Sequence, residues 1–145
     1  MGEYKNIIVA VDLSPDVDDE LIRIALEVTK NANISISLVH SIEHIGAYGG
    51  TYGITIDSEI EEMLFKSAEK EMQRLADKIG ISKDRQIIKF GSAKLLILEE
   101  ADRQKADLIV VGSHGRHGIQ LLLGSTANAV LHGAKCDVLA VRIKK

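Results

Sequence analysis

The chain has 145 residues, close to the commonest size of one domain, so we expect residues 1–145 to form a single domain. Apolar residues make up 46% and charged residues 27%, as in soluble globular proteins, and no apolar run approaches the ~18 residues of a membrane span. The net charge of -3 argues against nucleic acid as a partner, because binding needs a basic face. The start lacks a signal peptide and there is one cysteine, which favours a cytoplasmic protein.

Short apolar runs rich in β-branched residues predict the strands. They lack polar alternation, which is typical of strands buried on both faces of a parallel sheet. The four clear runs are Ile7–Val11, Ile34–Val39, Leu108–Val111 and Val138–Val141. A fifth, weaker candidate is Gln86–Phe90.

Between the first two runs the sequence predicts a helix. Ser14 suits the N-cap and Pro15 the first turn, where proline is tolerated. An acidic run over residues 16–20 favours the positive helix start, and we expect it to be solvated. The residues expected on the apolar face are Leu21, Ile24, Ala25 and Val28.

Three more helices follow from the patterning. The second begins at the capping-box pattern Ser58-x-x-Glu61 and stops at Gly80. Its apolar stripe consists of Ile60, Met63, Leu64, Ala68, Met72, Leu75, Ala76 and Ile79. The third is suggested by Leu95, Leu98, Ala101 and Asp102, and Asp107 and a strand follow it. The last should run from about Ser125 to His132.

Strands and helices therefore alternate along the whole chain, which predicts the α/β class. We expect one doubly wound, Rossmann-like domain with a five-stranded parallel sheet in the order 3-2-1-4-5 and four helices. In that order the chain reverses direction between the first and fourth strands, and ligands bind at their carboxyl ends. Those ends carry Asp12 and Gly112.

Glycines dominate the segment after the fourth strand. Gly112, Gly115 and Gly118 precede Gly124-Ser125, which opens the last helix. Glycines allow close backbone approach, and a helix N-terminus offers free N–H groups, so the segment suits a phosphate. The alternative is that these glycines serve only a turn and a cap.

Asp12 has two interpretations as well. At the predicted crevice its carboxylate could accept hydrogen bonds from ribose hydroxyls. It could equally be an ordinary carboxylate at a strand end or helix start.

Other chemistry finds little support. The P-loop pattern and the dinucleotide pattern G-x-G-x-x-G after the first strand are absent from the sequence. His114 and His117 lack further zinc ligands nearby, so we expect no metal site and no catalytic residue. Cys136 precedes an apolar strand and is expected to be buried and inert.

One connection is unusually long. The loop Ser41–Asp57 contains G-A-Y-G-G-T-Y-G, with Tyr48 and Tyr52. Loops of this length are usually functional or disordered. It is either a surface excursion or a lid that places a tyrosine over a ligand.

Several segments resemble the universal stress protein family. V-V-G-S-H-G-R-H-G-I-Q-L-L-L-G-S-T-A is similar to the family's nucleotide-binding signature, G-x2-G-x9-G-[ST]. The beginning, Y-K-N-I-I-V-A-V-D-L-S, resembles its first strand and aspartate. I-S-L-V-H-S and C-D-V-L-A-V-R resemble its second and terminal strands, so the resemblance covers nearly the whole chain.

The resemblance implies binding of ATP, ADP or AMP, with magnesium left open. Asp12 and Gly112 would approach the ribose, the ends of the first two strands the base, and the glycine loop with the last helix the phosphates. The complete set is Ala10, Val11, Asp12, His40, Ser41, Val111, Gly112, Gly115, Arg116, Gly124, Ser125 and Thr126. Eight residues separate Gly115 from Gly124 where the signature has nine, so Arg116 or His117 could replace Gly115 at the phosphates.

Three functions remain open at this stage. The first is a nucleotide-binding regulatory protein of the stress response. The second is a weak ATPase or autokinase, with Ser113 or Ser125 accepting a phosphoryl group. The third is a dimeric scaffold without obligatory ligand. The resemblance implies that the homodimer pairs the terminal strand, Val138–Ile143.

Overall fold

The computed structural model describes residues 4–29, 34–43, 58–113 and 125–142. The strands are β1 (Asn6–Ala10), β2 (Ser35–Ile42), β3 (Gln86–Phe90), β4 (Leu108–Ser113) and β5 (Asp137–Arg142). The helices are α1 (Pro15–Thr29), α2 (Ser58–Ile79), α3 (Ala93–Gln104) and α4 (Ser125–Gly133). A single 3-10 turn, Lys83–Arg85, precedes β3. None of the described helices is both long and apolar enough to cross a membrane.

The five strands form one parallel sheet in the order β3-β2-β1-β4-β5. This confirms the predicted α/β class, the strand order and the four helices. The chain builds outward from β1 to β3, then crosses over to place β4 on the other side of β1. β1 and β4 are therefore hydrogen-bonded neighbours, and the helices that come next in the chain, α1 and α4, pack in different clusters on the two faces of the sheet.

The sheet is covered on both faces, as its apolar strands require. Alternate residues of β1 explain the two layers: Ile7 and Val9 belong to one buried cluster, and Ile8 to the other. The first cluster holds side chains from α1 and α2, and the second holds side chains from α3 and α4. Because the aromatic content is only 3%, both layers are packed almost wholly by aliphatic side chains.

Strand boundaries differ from the sequence prediction in a way that matters for the site. β1 ends one residue early, at Ala10, whereas β2 continues to Ile42. The extension exists because β3 pairs alongside, with His40 opposite Ile88 and Ile42 opposite Phe90. The polar residues in H-S-I do not indicate a strand in the sequence, because the pairing of this segment with β3 is made by backbone hydrogen bonds.

Helix α3 forms where the sequence predicts it, but the residues whose spacing suggested it do not all face the sheet. Leu95 is 62% exposed and Asp102 is exposed, although Ala101 is buried as expected. The residues that face the sheet are Leu96, Ile97, Glu100 and Ala101. Four consecutive apolar residues, L-L-I-L, are compatible with more than one buried helical face. The burial of Glu100 in α3 is also contrary to the usual expectation that charged residues are solvated.

The face of α1 needs a smaller correction. Leu21 and Ala25 are buried as predicted, but Val28 is 49% exposed and Ile24 only half-buried. Val17 and Ile22 complete the buried face instead. The buried face therefore includes residues nearer the start of the helix than predicted. As a result, part of the acidic run over residues 16–20, namely Asp18, lies in the interior.

Helix α2 ends where the sequence predicts. Gly80 adopts φ +74°, and the N–H of Ile81 donates to the Ala76 carbonyl at 3.0 Å, which closes the helix with a Schellman motif. The carboxyl half of the predicted stripe is buried, around Met72 and Leu75. The amino half is not, since Met63 is 70% exposed.

Candidate functional site

The carboxyl ends of β1 and β4 lie side by side at the middle of the sheet. The register pairs Val9 with Val110 in parallel, so the carboxyl ends of both strands lie at the same edge of the sheet. Asp12 follows β1 and is exposed, while Gly112 is the penultimate residue of β4 and lies opposite Val141 of β5. This arrangement agrees with the predicted crevice at the reversal of strand order.

The turn from β1 to α1 is held in an unusual conformation. Leu13 has φ 60°, in the left-handed region that non-glycine residues rarely adopt. The N–H of Asp12 donates to Oδ1 of Asp18 at 3.0 Å, and the N–H of Leu13 also lies within reach of that carboxylate. The N–H of Asp18 in turn donates to the Ser14 carbonyl at 3.0 Å, which begins the helix as predicted.

Asp18 contacts the predicted site in the structure, but the sequence did not lead us to expect it there. The run over residues 16–20 was expected to be solvated, but Asp18 is only 1% exposed. The position of Asp18 in the sequence could have indicated its burial. It lies three and four residues before the buried Leu21 and Ile22 and so shares their helical face.

Burial raises the pKa of the Asp18 carboxyl from its ordinary value of 3.8 to about 6. The backbone N–H groups of Asp12 and Leu13 oppose this rise, because they stabilise the ionised form. The negative charges of Asp12 and Asp19 add to it. Asp18 therefore changes protonation close to physiological pH, directly behind the exposed carboxylate of Asp12.

His40 links the ends of β2 and β1. Its Nδ1 lies 2.9 Å from the Val11 carbonyl oxygen. A carbonyl only accepts, so this contact requires a proton on Nδ1 and leaves Nε2 as an acceptor in the neutral ring. The backbone N–H of Val11 donates to the Val39 carbonyl at 2.9 Å, so Val11 is tied to β2 by both of its polar groups.

The far side of β2 is occupied by structural contacts. The Ser41 hydroxyl donates to the Gly91 carbonyl, so this hydroxyl is already engaged. Oε1 of Glu43 accepts the N–H of Ala93 at 3.1 Å and caps the start of α3. Gly91 has φ +129°, which explains why a glycine connects β3 to α3.

The last helix begins at Ser125, which is exposed, with Thr126 half-buried behind it. Its first N–H groups lack intrahelical partners, as in any α-helix, and its dipole favours an anion there. Gly115, Arg116 and Gly124 lie outside the described residues, as does His117. Tyr48 and Tyr52 of the loop Ser41–Asp57 lie outside them too, so the lid stays a prediction.

Of the twelve predicted ligand residues, nine are described. The structure brings Ala10, Val11 and Asp12 together with His40 and Ser41, since β1 and β2 pair from Asn6 to Ala10. Val111 and Gly112 lie near the end of the neighbouring strand β4, just before its last residue, Ser113. Ala10 and Val111 both belong to the face covered by α3 and α4, where Ala127 of α4 packs.

The described residues offer little support for a metal site or for a reactive thiol. Among them, no three His, Cys, Asp or Glu side chains are grouped as a metal site. Cys136 is half-buried, less enclosed than predicted, and burial raises the pKa of its thiol, which keeps it protonated.

The fold is shared with solved structures. The hypothetical protein MJ0577 superposes with a TM-score of 0.78 at 22% identity, over 99% of both chains. A universal stress protein in complex with cAMP gives 0.61 at 24% identity, over 97% of this chain and 98% of that one. An Arabidopsis thaliana protein of the universal stress protein family with AMP bound gives 0.61 at 19% identity, over 97% and 92%.

Sequence comparison goes further than the fold. Universal stress protein A homolog 2 of Coxiella burnetii is 54% identical over 144 residues, which are 99% of this chain and 99% of that protein. Residues 3–142 match the Universal stress protein family. The resemblance seen in the strand and glycine motifs is thereby confirmed, and the chain belongs to the universal stress protein family.

Proposed function

We propose that residues 1–145 form a single cytoplasmic domain that binds an adenine nucleotide, ATP, ADP or AMP, and acts as a regulatory protein in the stress response. The observation that carries this proposal is the junction of β1 and β4. There the exposed carboxylate of Asp12 and the last residues of β4, Gly112 and Ser113, lie at the reversal of strand order, and the glycine-rich motif follows β4 in the sequence. Two structures with the same fold contain cAMP or AMP, which supports an adenine ligand.

The chemistry of the junction fits each part of a nucleotide. A carboxylate such as that of Asp12 can accept from both ribose hydroxyls. The free N–H groups at the start of α4, from Ser125, suit phosphate oxygens. Ala10 is half-buried and offers a small apolar surface to a planar base, whereas the side chains of Val11 and Val111 are buried, so these two residues would approach the base through their backbone. Gly115, Arg116 and Gly124 complete the proposed phosphate contacts from the sequence motif.

Isothermal titration with AMP and ATP tests the proposal, alongside mass spectrometry of small molecules released by denaturing the purified protein. We expect Asp12→Ala to weaken binding about 10- to 100-fold, the effect of losing hydrogen bonds to a charged acceptor. Asp16→Ala is the matched control, because Asp16 is an exposed aspartate at the start of the same helix. The absence of released nucleotide together with no heat of binding would remove the proposal.

A homodimer through Val138–Ile143 is the second part of the proposal. β5 forms an edge of the sheet, and its Val138, Leu139 and Ala140 are half-buried. An apolar edge strand needs cover, which a second copy of β5 could supply. Light scattering over a dilution series should give the mass of a dimer at micromolar concentration. A monomer mass throughout that range would exclude the dimer without touching nucleotide binding.

A further inference from the structure

We infer that Asp18 is a positioning residue for the nucleotide site, and that its ionised carboxylate holds the Asp12 turn in the conformation that binds ligand. This inference rests on the proposed binding of an adenine nucleotide. It extends that proposal to a residue that makes no ligand contact of its own, and it makes affinity depend on pH.

The geometry of the turn supports this role. The turn contains a residue in left-handed conformation, Leu13, which is unfavourable for a non-glycine residue unless the surroundings fix it. Asp18 supplies that fixing by accepting the Asp12 N–H at 3.0 Å, one turn after the helix start. Since Asp18 is 1% exposed, water cannot readily replace the carboxylate in this contact.

Ionisation matters because a carboxylate and a carboxylic acid bond differently. The carboxylate only accepts, so both of its oxygens can face the N–H groups of the turn. The protonated acid has an O–H that must find an acceptor, in a position surrounded by donors from the backbone. Protonation therefore weakens the hold on the turn and reduces the fraction of molecules in which Asp12 is correctly placed.

Charged neighbours set where this change occurs. Asp12 in the turn and Asp19 on α1 both disfavour a negative charge on Asp18. From α2, Lys78 lies 3.5 Å from Asp19 and moderates that neighbour. With burial as the main cause, the pKa of Asp18 rises to about 6, so the switch operates between neutral and mildly acidic pH.

The first test needs no ligand. In an NMR titration of the wild-type protein, the backbone amides of Asp12 and Leu13 should shift together with a midpoint near pH 6, the value expected for Asp18. Asp18→Asn should abolish that transition, because asparagine accepts hydrogen bonds and does not ionise. Amides that stay unchanged from neutral to mildly acidic pH in the wild type would overturn the inference, whatever the protein binds.

The second test measures AMP affinity by calorimetry at about pH 7.5 and about pH 5. Wild-type affinity should fall about tenfold more than that of Asp18→Asn, since only about a tenth of the molecules keep Asp18 ionised one pH unit below its pKa. Comparing variant with wild type cancels the titration of the ligand's own phosphate. Asp16→Asn, the same change at an exposed aspartate of α1 that is not among the charges acting on Asp18, should retain the wild-type profile.

The outcomes separate the two proposals. Equal pH profiles for wild type and Asp18→Asn would refute the positioning role while leaving nucleotide binding intact. If wild type binds neither AMP nor ATP at about pH 7.5, the proposed function fails, and the amide titration still decides whether Asp18 holds the turn. Asp18→Ala, which lacks an acceptor, should weaken AMP binding at both pH values by about tenfold.

Discussion

Two carboxylates are buried in the described part of the protein, Asp18 at the start of α1 and Glu100 in α3, and their surroundings differ sharply. Glu100 accepts from Arg103 at 2.5 Å and from Gln104 at 3.0 Å, with Lys89 3.6 Å away. Hydrogen bonding from Arg103 outweighs burial and lowers the pKa of Glu100. Among the described residues, Asp18 accepts from backbone N–H groups and lies near two other acids, and burial raises its pKa.

The difference separates a structural acid from one that can switch. Glu100 ties α3 to β3 through cations whose side chains remain more than half exposed, so its charge is compensated over the whole neutral range. Asp18 has no such compensation and lies beside the proposed ligand site. Two equally buried carboxyl groups therefore have pKa values shifted in opposite directions, and the neighbouring groups determine the direction.

Glu100→Ala should have the largest effect on stability. We expect a loss of about 2 to 3 kcal/mol in the free energy of unfolding, because charge-assisted hydrogen bonds and packing are removed together. Urea denaturation measures it, with the exposed neighbour Glu99→Ala as a control that should change stability by less than about 0.5 kcal/mol. A loss equal to that of the control would mean that the α3 network contributes nothing.

Glu100 should also stabilise the protein in a pH-dependent way. Its pKa is lower in the folded state, so the unfolded chain binds the proton more readily at mildly acidic pH. Its contribution is complete above the unfolded pKa of about 4.3 and is lost as pH falls through the folded value. The difference between wild type and Glu100→Gln should therefore shrink towards acid in urea titrations.

Asp18→Asn should do the reverse and stabilise the protein at neutral pH. The folded pKa is raised, so between 3.8 and about 6 the folded state holds a proton that the unfolded chain releases. Wild-type stability from this group is complete below that window and is lost as pH rises through it. We expect Asp18→Asn to gain about 1 to 2 kcal/mol at neutral pH, less than the full effect of the pKa rise, since the amide is also buried.

Chemical denaturation of Asp18→Asn and wild type at several pH values measures this gain. The gain should shrink as pH falls through about 6 and vanish only below the unfolded value of 3.8, where the wild-type carboxyl is neutral in both states. Asp19→Asn should show no comparable rise, because Asp19 is exposed. A destabilised Asp18→Asn at neutral pH would show that the carboxylate is as well compensated as that of Glu100.

The two regions also contain the described non-glycine residues with positive φ, Leu13 at 60° and Lys105 at 54°. Lys105 caps the end of α3, is exposed, and has no packing role to lose. Lys105→Gly should gain about 0.5 to 1 kcal/mol through relief of the left-handed conformation. Leu13→Gly should gain nothing, because the Leu13 side chain packs against the first apolar cluster. Thermal unfolding of the two variants compares them directly.

Much of this architecture could be predicted from the sequence. The alternation of strands and helices, together with the commonest order of doubly wound sheets, was enough to predict the sheet order and the pairing of β1 with β4. The buried acids could not be predicted by the rule that charged residues are solvated, since their burial depends on partners from other segments. Lys89, which approaches Glu100, lies in a strand that the sequence indicates only weakly. The contact between His40 and Val11 likewise requires knowing that β2 extends past Val39.

Lys89→Met should have the smallest effect of the series. Lys89 is 54% exposed and lies 3.6 Å from Glu100, so the pair is screened and its loss should cost less than about 0.5 kcal/mol. Methionine keeps the apolar stem, which restricts the change to the charge. A double-mutant cycle with Glu100→Gln isolates the coupling, and high salt should abolish most of it. A coupling above about 1 kcal/mol, resistant to salt, would mean that Lys89 shares the compensation of Glu100 with Arg103 rather than adding a weak surface contact.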